Sequence, residues 1–161
     1  MTITTLGNNR FKKLIAVLIL PLFLIGCGLT GEEIARLDIN KLSTNNNFIV
    51  KEAILDLKKG DKIAFWSDMD MEYAGKVDLR FRLKIFKKGT EMSQIDIDPT
   101  KKNITIGEVK TTLMGKTNWS FTGKNHQLKI EEDGTYGFKA VLISSKHPSL
   151  KINKAELVIK K

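Results

Sequence analysis

The sequence predicts an all-β protein, namely an antiparallel β-sandwich of jelly-roll or Greek-key type with about eight strands. From Phe48 onward apolar residues recur at every second position, most clearly over residues 63–73 and 77–85. Successive side chains of a strand point to opposite faces, so this period is typical of strands with one buried face. Turn residues such as Asp133-Gly134 separate the runs, and no strong helical period occurs among them.

The composition limits the chain to one folded domain. The 161 residues include 27 Lys and Arg, 18 Asp and Glu, and a single Cys. These values exclude full-length disorder, a collagen-like chain and a multi-span membrane protein. One cysteine also excludes a disulfide framework and a cysteine-rich zinc site.

The first 26 residues have the layout of a secretory signal peptide. Arg10, Lys12 and Lys13 precede an apolar run over residues 14–25. About twelve residues are too few to cross a hydrocarbon core that needs roughly 20 helical residues. The segment is therefore predicted to be a removable export signal. A transmembrane helix ending at a buried cysteine is the alternative, which the short run and the one-sided basic flank disfavour.

The end of this segment, Leu24-Ile25-Gly26-Cys27, resembles the lipobox of bacterial lipoproteins. The resemblance implies that the Cys27 thiol receives a diacylglyceryl group, that a peptidase cleaves between Gly26 and Cys27, and that the new amino terminus is acylated with a fatty acid such as palmitate. Two or three acyl chains make a stable anchor, since each buried methylene contributes about 0.8 kcal/mol. Gly28, where inner-membrane lipoproteins carry Asp, implies the outer membrane if the host is Gram-negative.

Residues 27–47 are predicted to be the lipidated cysteine and a tether, and residues 48–161 the sandwich. Within the tether, Ile34 and Leu37 fit one side of a short helix over residues 32–42, before a polar break at 43–47.

The strand candidates after the tether show two changes of parity. After Gly107, and again around Asn153-Lys154, the apolar residues move from even to odd positions. We predict a β-bulge at each place, because one extra residue keeps the apolar side facing the core. The candidate strands are residues 48–57, 63–73, 77–85, 92–97, 104–114, 118–121, 127–130, 135–144 and 150–159.

Asp68, Asp70 and Glu72 line one face of a predicted strand and are the best candidates for metal ligands. The favoured interpretation is ion pairing instead, since a straight strand spaces these carboxylates by about 6.6 Å. If a hairpin closes at residues 74–76, Asp70 lies opposite Arg80 and Asp68 opposite Arg82. We therefore predict no metal and no cofactor.

Trp66 belongs to the outward-facing set of its strand, so it is a candidate exposed platform for stacking on sugar rings, with Asn125 or His126 as a polar partner. The favoured interpretation is instead that Trp66 packs under the tether or a second layer. Gly134-Thr135-Tyr136-Gly137-Phe138 resembles the opening of a late strand in GOLD-like and carbohydrate-binding jelly rolls. That resemblance implies a fold and no ligand.

No catalytic motif occurs in the chain, and its two histidines, His126 and His147, have no second ligand at a suitable spacing. We therefore predict a non-enzymatic, membrane-anchored lipoprotein that serves as a binding or structural module at the cell envelope, with an envelope protein or glycan as partner. The alternatives are a carbohydrate-binding accessory lipoprotein and an envelope hydrolase. Export argues against nucleic acid, so the basic surplus is interpreted as a solvated or membrane-facing surface.

Overall fold

The computed structural model describes residues 30–161, which contain nine β-strands and no helix. The all-β prediction is confirmed. No helix in this part of the chain is long and apolar enough to cross a bilayer. The predicted signal peptide and the lipidation site at Cys27 lie outside the described residues. In chain order the strands are β1 Glu33–Asp38, β2 Lys51–Leu57, β3 Lys62–Ala74, β4 Leu79–Lys87, β5 Thr90–Ile97, β6 Ile104–Leu113, β7 Lys116–Lys129, β8 Gly134–Ser144 and β9 Lys151–Lys160.

The strands form two antiparallel sheets, ordered β1-β9-β3-β7-β6 and β2-β8-β4-β5. The first half of the chain pairs with the second half, as β1 with β9, β2 with β8, β3 with β7 and β4 with β5. This is the strand order of a jelly roll, to which β6 is added as one extra edge strand. The five-stranded sheet is therefore one strand wider than its partner.

The core lies between the sheets and is formed by the alternate apolar residues of the central strands. Phe65, Phe81, Phe138 and Leu157 are all completely buried. Burying each such side chain contributes roughly 1.5–3 kcal/mol. Period-two patterning thus identifies the inner faces of β3, β4, β8 and β9 correctly.

The helix predicted over residues 32–42 is wrong, because Glu33–Asp38 is strand β1 and pairs with β9. Leu37 and Ile39 are buried in the core. The three-residue spacing of Ile34 and Leu37 suggests a helix, but Leu37 and Ile39 also alternate, and an available sheet edge selects the strand. The sandwich therefore begins near residue 33 rather than 48, within the predicted tether.

Both predicted β-bulges are present. In β6 the register shifts between Thr105 and Gly107, and in β9 the extra residue is Asn153. In β9 the shift returns apolar side chains to the core, as expected. In β6 it does not, because Val109 and Leu113 are exposed. The register after the bulge sets Val109 and Leu113 opposite Ser120 and Lys116, which are outward residues of β7, so both side chains point away from the core.

Candidate functional site

The predicted acidic row forms ion pairs and polar contacts on the outer face of β3. Asp68 accepts hydrogen bonds from Lys154 Nζ at 2.6 Å and Arg36 Nη1 at 3.2 Å. Glu72 accepts one from Lys151 Nζ at 2.9 Å, which holds the pKa of that carboxyl below its ordinary value. These contacts support ion pairing over metal binding as the interpretation of the row.

The partners predicted for this row are nevertheless wrong. Residues 75–78 cross from one sheet to the other instead of closing a hairpin, so β3 and β4 do not pair. Arg82 forms a bidentate contact with Asp96 at 2.9 Å, and Arg80 lies 3.4 Å from Asp78. Asp70 instead accepts a hydrogen bond from Asn153. Within residues 30–161 no three His, Cys, Asp or Glu side chains are grouped for a metal ion.

Trp66 is not an exposed platform, since only 1% of its surface is accessible. It lies on the outer face of β3, opposite Val158 of β9, and Lys160 Nζ lies 4.7 Å from its ring centroid. Parity therefore predicts its face correctly, and of the two interpretations the structure supports packing and contradicts the exposed platform. Its buried Nε1 has no hydrogen-bond partner in the described part of the chain.

Asn125 and His126 lie on the other side of the sheet from Trp66. Asn125 accepts a hydrogen bond from the buried Ser67 Oγ at 2.7 Å, and its Nδ2 donates to three carbonyl oxygens of residues 98–101. His126 stacks on Phe65 with ring centroids 6.4 Å apart. Asn125 therefore holds the loop between β5 and β6, and the three predicted ligand residues do not meet in one site.

The most unusual surface in the described chain is the edge strand β6, which the sequence analysis did not single out. All ten of its residues are exposed, and β7 is its only neighbour in the sheet. Its apolar side chains are open to solvent, with Val109 66% and Leu113 70% exposed, and Met114 in the following turn is 95% exposed. An unpaired edge with an apolar face is a template for binding another strand.

The two faces of β6 have different chemistry. The outer face carries Val109, Thr111 and Leu113, which pair with outward residues of β7. The inner face carries Glu108 and Lys110, opposite the core residues Phe121 and Trp119. Beyond the bulge, residues 107–113 continue in regular register, so they offer an uninterrupted edge.

The inner face of β6 is fixed by a compact polar cluster. Glu108 Oε1 accepts hydrogen bonds from Trp119 Nε1 at 2.7 Å and Lys102 Nζ at 2.8 Å. Hydrogen bonding by Lys102, then by Trp119, keeps the pKa of Glu108 below its ordinary value. Lys102 is itself nearly buried, with Nζ 4.0 Å from the ring centroid of Phe121. The cluster closes the open side of the core and holds β6 in place.

A second concave surface is a shallow depression on the outer face of the four-stranded sheet. Gly137 forms its floor between Ile54 and Phe86, and the Glu52–Lys139 ion pair lies at its rim. The shifted carboxyl pKa values of the described residues belong to ion-paired groups such as Asp96 beside Arg82. The depression therefore lacks a cluster of ionisable side chains with shifted pKa values, which is the usual mark of a catalytic cleft.

Comparison of the chain with protein-family models, curated proteins and solved structures gives no match. The candidate site therefore rests on the geometry of β6 alone.

Proposed function

We propose that this protein is an exported bacterial lipoprotein, anchored through Cys27, whose sandwich is a non-catalytic module that binds an extended segment of an envelope protein along β6. One observation carries the binding role: an edge strand whose ten residues are all exposed and whose outer face is apolar. Natural sheets normally protect such edges with charges, bulges or a covering loop. Here the bulge lies before Gly107 and the charges of Glu108 and Lys110 lie on the inner face, so the outer face of residues 107–113 carries neither form of protection.

The chemistry of β6 defines the partner. A segment that adds as a sixth strand satisfies the free backbone groups of the edge through main-chain hydrogen bonds. Its alternate side chains lie beside Val109 and Leu113, so they are apolar. Those on the other face lie near Glu108 and Lys110, so polar or charged residues fit there. The partner segment is therefore an amphipathic strand, and not a helix or a glycan.

A second copy of the chain fits the edge less well than a different protein when the end of the sandwich at Glu33 faces the membrane. Antiparallel self-pairing centred on Val109 sets Glu108 opposite Lys110 of the second copy, which is electrostatically favourable. It also turns the two molecules in opposite directions. Each chain enters its sandwich at Glu33, which lies beside Lys160 and near the start of β3. The other end of β3 is roughly 40 Å away, because the strand has 13 residues.

The two anchors of such a pair lie at opposite ends of the joined sheets. Only residues 28–32 separate Cys27 from Glu33, a reach of about 20 Å when fully extended. If the strands run normal to the membrane, one of the two anchors starts from the far end and does not reach the bilayer. That orientation therefore favours a partner of a different sequence.

The anchor is tested by Cys27→Ser in the full chain, with palmitate labelling and membrane fractionation. We expect the substitution to abolish labelling and to release the protein from membranes. Unchanged partitioning into detergent would contradict the lipoprotein assignment.

The binding edge is tested by a photoreactive amino acid at Val109 in cells that produce the full chain. The matched control is Met92 of β5, an edge residue of the other sheet with similar exposure, 60% against 66%. We expect a discrete crosslinked product from position 109 only, and its loss when Leu113→Lys is added. Peptides recovered from the product should alternate apolar and polar residues. A product of two copies of this chain, or equal products from both positions, would contradict the proposal.

A further inference from the structure

Four lysines project from the outer face of the five-stranded sheet at the end where the chain enters it. Their side chains share this face because Lys62 is an outward residue of β3 and the other three lie opposite outward residues of β3. Lys62 lies directly opposite Lys129, Lys124 opposite Trp66, and Lys160 opposite Ala64. We call Lys62, Lys124, Lys129 and Lys160 the proximal lysines.

The proximal lysines form no ion pairs, although Lys160 lies opposite Glu33 in the ladder of β1 and β9. None of them forms an ion pair with a carboxylate of residues 30–161, and residues 1–29 contain no Asp or Glu. Two acids of this face are occupied, since Glu33 pairs with Arg36 and Asp68 with Arg36 and Lys154. Glu32 and Glu131 are exposed at the same end, so the four lysines exceed the unpaired acids beside them. The remaining charge is thus a concentrated positive patch.

The pairing of Lys62 with Lys129 is unfavourable for the isolated sandwich, because like charges directly opposite in a ladder repel. An anionic surface brought against this end removes that cost. Such a surface is close by under the proposed function, since Glu33 begins β1 beside Lys160 and lies within about 20 Å of the acylated residue along the chain.

We propose that the proximal lysines bind the headgroups of anionic phospholipids and so orient the anchored sandwich on the membrane. This inference rests on the proposed function, because the lipid anchor selects the membrane as the anionic surface. Acyl chains and a basic patch are complementary signals, the first giving residence and the second orientation. In this orientation the turn with Met114, at the opposite end of β3, points away from the bilayer and leaves β6 accessible.

The test uses the mature chain from residue 27 with Cys27→Ser, so that neither the signal peptide nor an acyl chain contributes. This chain retains all nine strands and the core, and thermal unfolding checks its fold. Cosedimentation is measured with vesicles of phosphatidylcholine, with and without phosphatidylglycerol. We expect binding only to the anionic vesicles, and a decrease as ionic strength rises.

Two double variants with equal charge changes separate a defined surface from general basicity. Lys62→Gln with Lys129→Gln should weaken binding by about 25-fold, at roughly fivefold for each lysine. Lys76→Gln with Lys116→Gln alters the opposite end and should change binding by less than about twofold. Equal losses in the two variants, or equal binding to neutral and anionic vesicles, would overturn the inference. Because the chain tested is not acylated, these outcomes are independent of whether Cys27 is lipidated.

Discussion

The centre and the edge of the five-stranded sheet differ in what their outward-facing side chains do. Over residues 68–72 of β3 and 151–156 of β9 the charged side chains of this face are bonded to one another, as Asp68 is to Lys154. On β6, two strands away, they are apolar and exposed, as Val109 and Leu113 are. Each central strand is paired on both sides, whereas the edge strand β6 has a neighbour on one side only.

This difference teaches that the outer face of β6 is not needed to fold the sandwich. The free energy that holds β6 comes from its ladder with β7 and from the Glu108 cluster on its inner face. Exposed apolar side chains on an unpaired edge carry a risk of aggregation. A binding role explains why such a surface is present.

The largest expected difference in the free energy of unfolding is between a leucine-to-alanine substitution at the centre of the sheet and one at its edge. Leu157→Ala in β9 removes a fully buried side chain and should lower the free energy of unfolding by about 2–5 kcal/mol. Leu113→Ala in β6 should change it by less than about 0.5 kcal/mol. Urea denaturation measures both values. Comparable losses would mean that the outer face of β6 is part of the core after all.

A pair of glycine substitutions tests how tightly the polar cluster closes the core. A Cβ at Gly123 would lie 2.5 Å from Lys102 Cδ and 3.0 Å from the carbonyl oxygen of Ile104. Gly123→Ala should therefore destabilise the protein by about 1–3 kcal/mol. At Gly107 a Cβ meets nothing within 4 Å, so Gly107→Ala is the control and should have little effect. Equal melting temperatures for the two variants would refute the tight packing of Lys102.

A double-mutant cycle tests the ion pairs at the centre. Asp68→Ala and Lys154→Ala should couple by about 0.5–1 kcal/mol, because both charges remain partly solvated. Asp70 and Arg80, the pair expected from the hairpin register, should show no coupling, since they belong to different sheets. Coupling between Asp70 and Arg80 would contradict the topology.

The smallest expected effect is the pH dependence of the Glu108 cluster. The pKa of Glu108 is lowered in the folded protein by its hydrogen bonds from Lys102 and Trp119. The stabilisation is therefore present above the ordinary value of 4.5 and is lost as pH falls through the folded value. The melting temperature of Glu108→Gln should be lower than that of the wild type at neutral pH, and the difference should shrink in acid. A difference that is independent of pH would exclude this linkage.

The sequence predicts most strands well because a half-buried strand has a period of two, which β3 and β4 show clearly. It wrongly divides β7 into strands 118–121 and 127–130, because the bulge at Asn125 interrupts the alternation within one strand. It predicts β1 incorrectly because Ile34 and Leu37 fit either period, and only a neighbouring edge decides between them. The acids of β3 are correctly predicted to be paired, but their partners depend on which strands are neighbours. Local spacing carries no information about that choice.

The exposure of Trp66 and of β6 depends on which strands lie beside them and on which face of the sheet is covered. Parity assigns Trp66 to the outer face, yet its burial is a property of its surroundings and not of its own strand. The alternation of Val109 and Leu113 suggests a core face. These residues are exposed because the register with β7 places them on the outer face of the sheet, which the second sheet does not cover. That register depends on the neighbouring strand and not on the sequence of β6 alone.

The most direct test of strand addition at β6 is amide hydrogen exchange of the full-length protein, compared between native membranes and the purified state in detergent. If a partner strand pairs with the edge, outward-facing amides within residues 107–113 should exchange slowly in native membranes and rapidly after purification. The amides of β3, which are bonded on both sides by β7 and β9, should be protected in both states. Rapid exchange along β6 in native membranes would contradict the account.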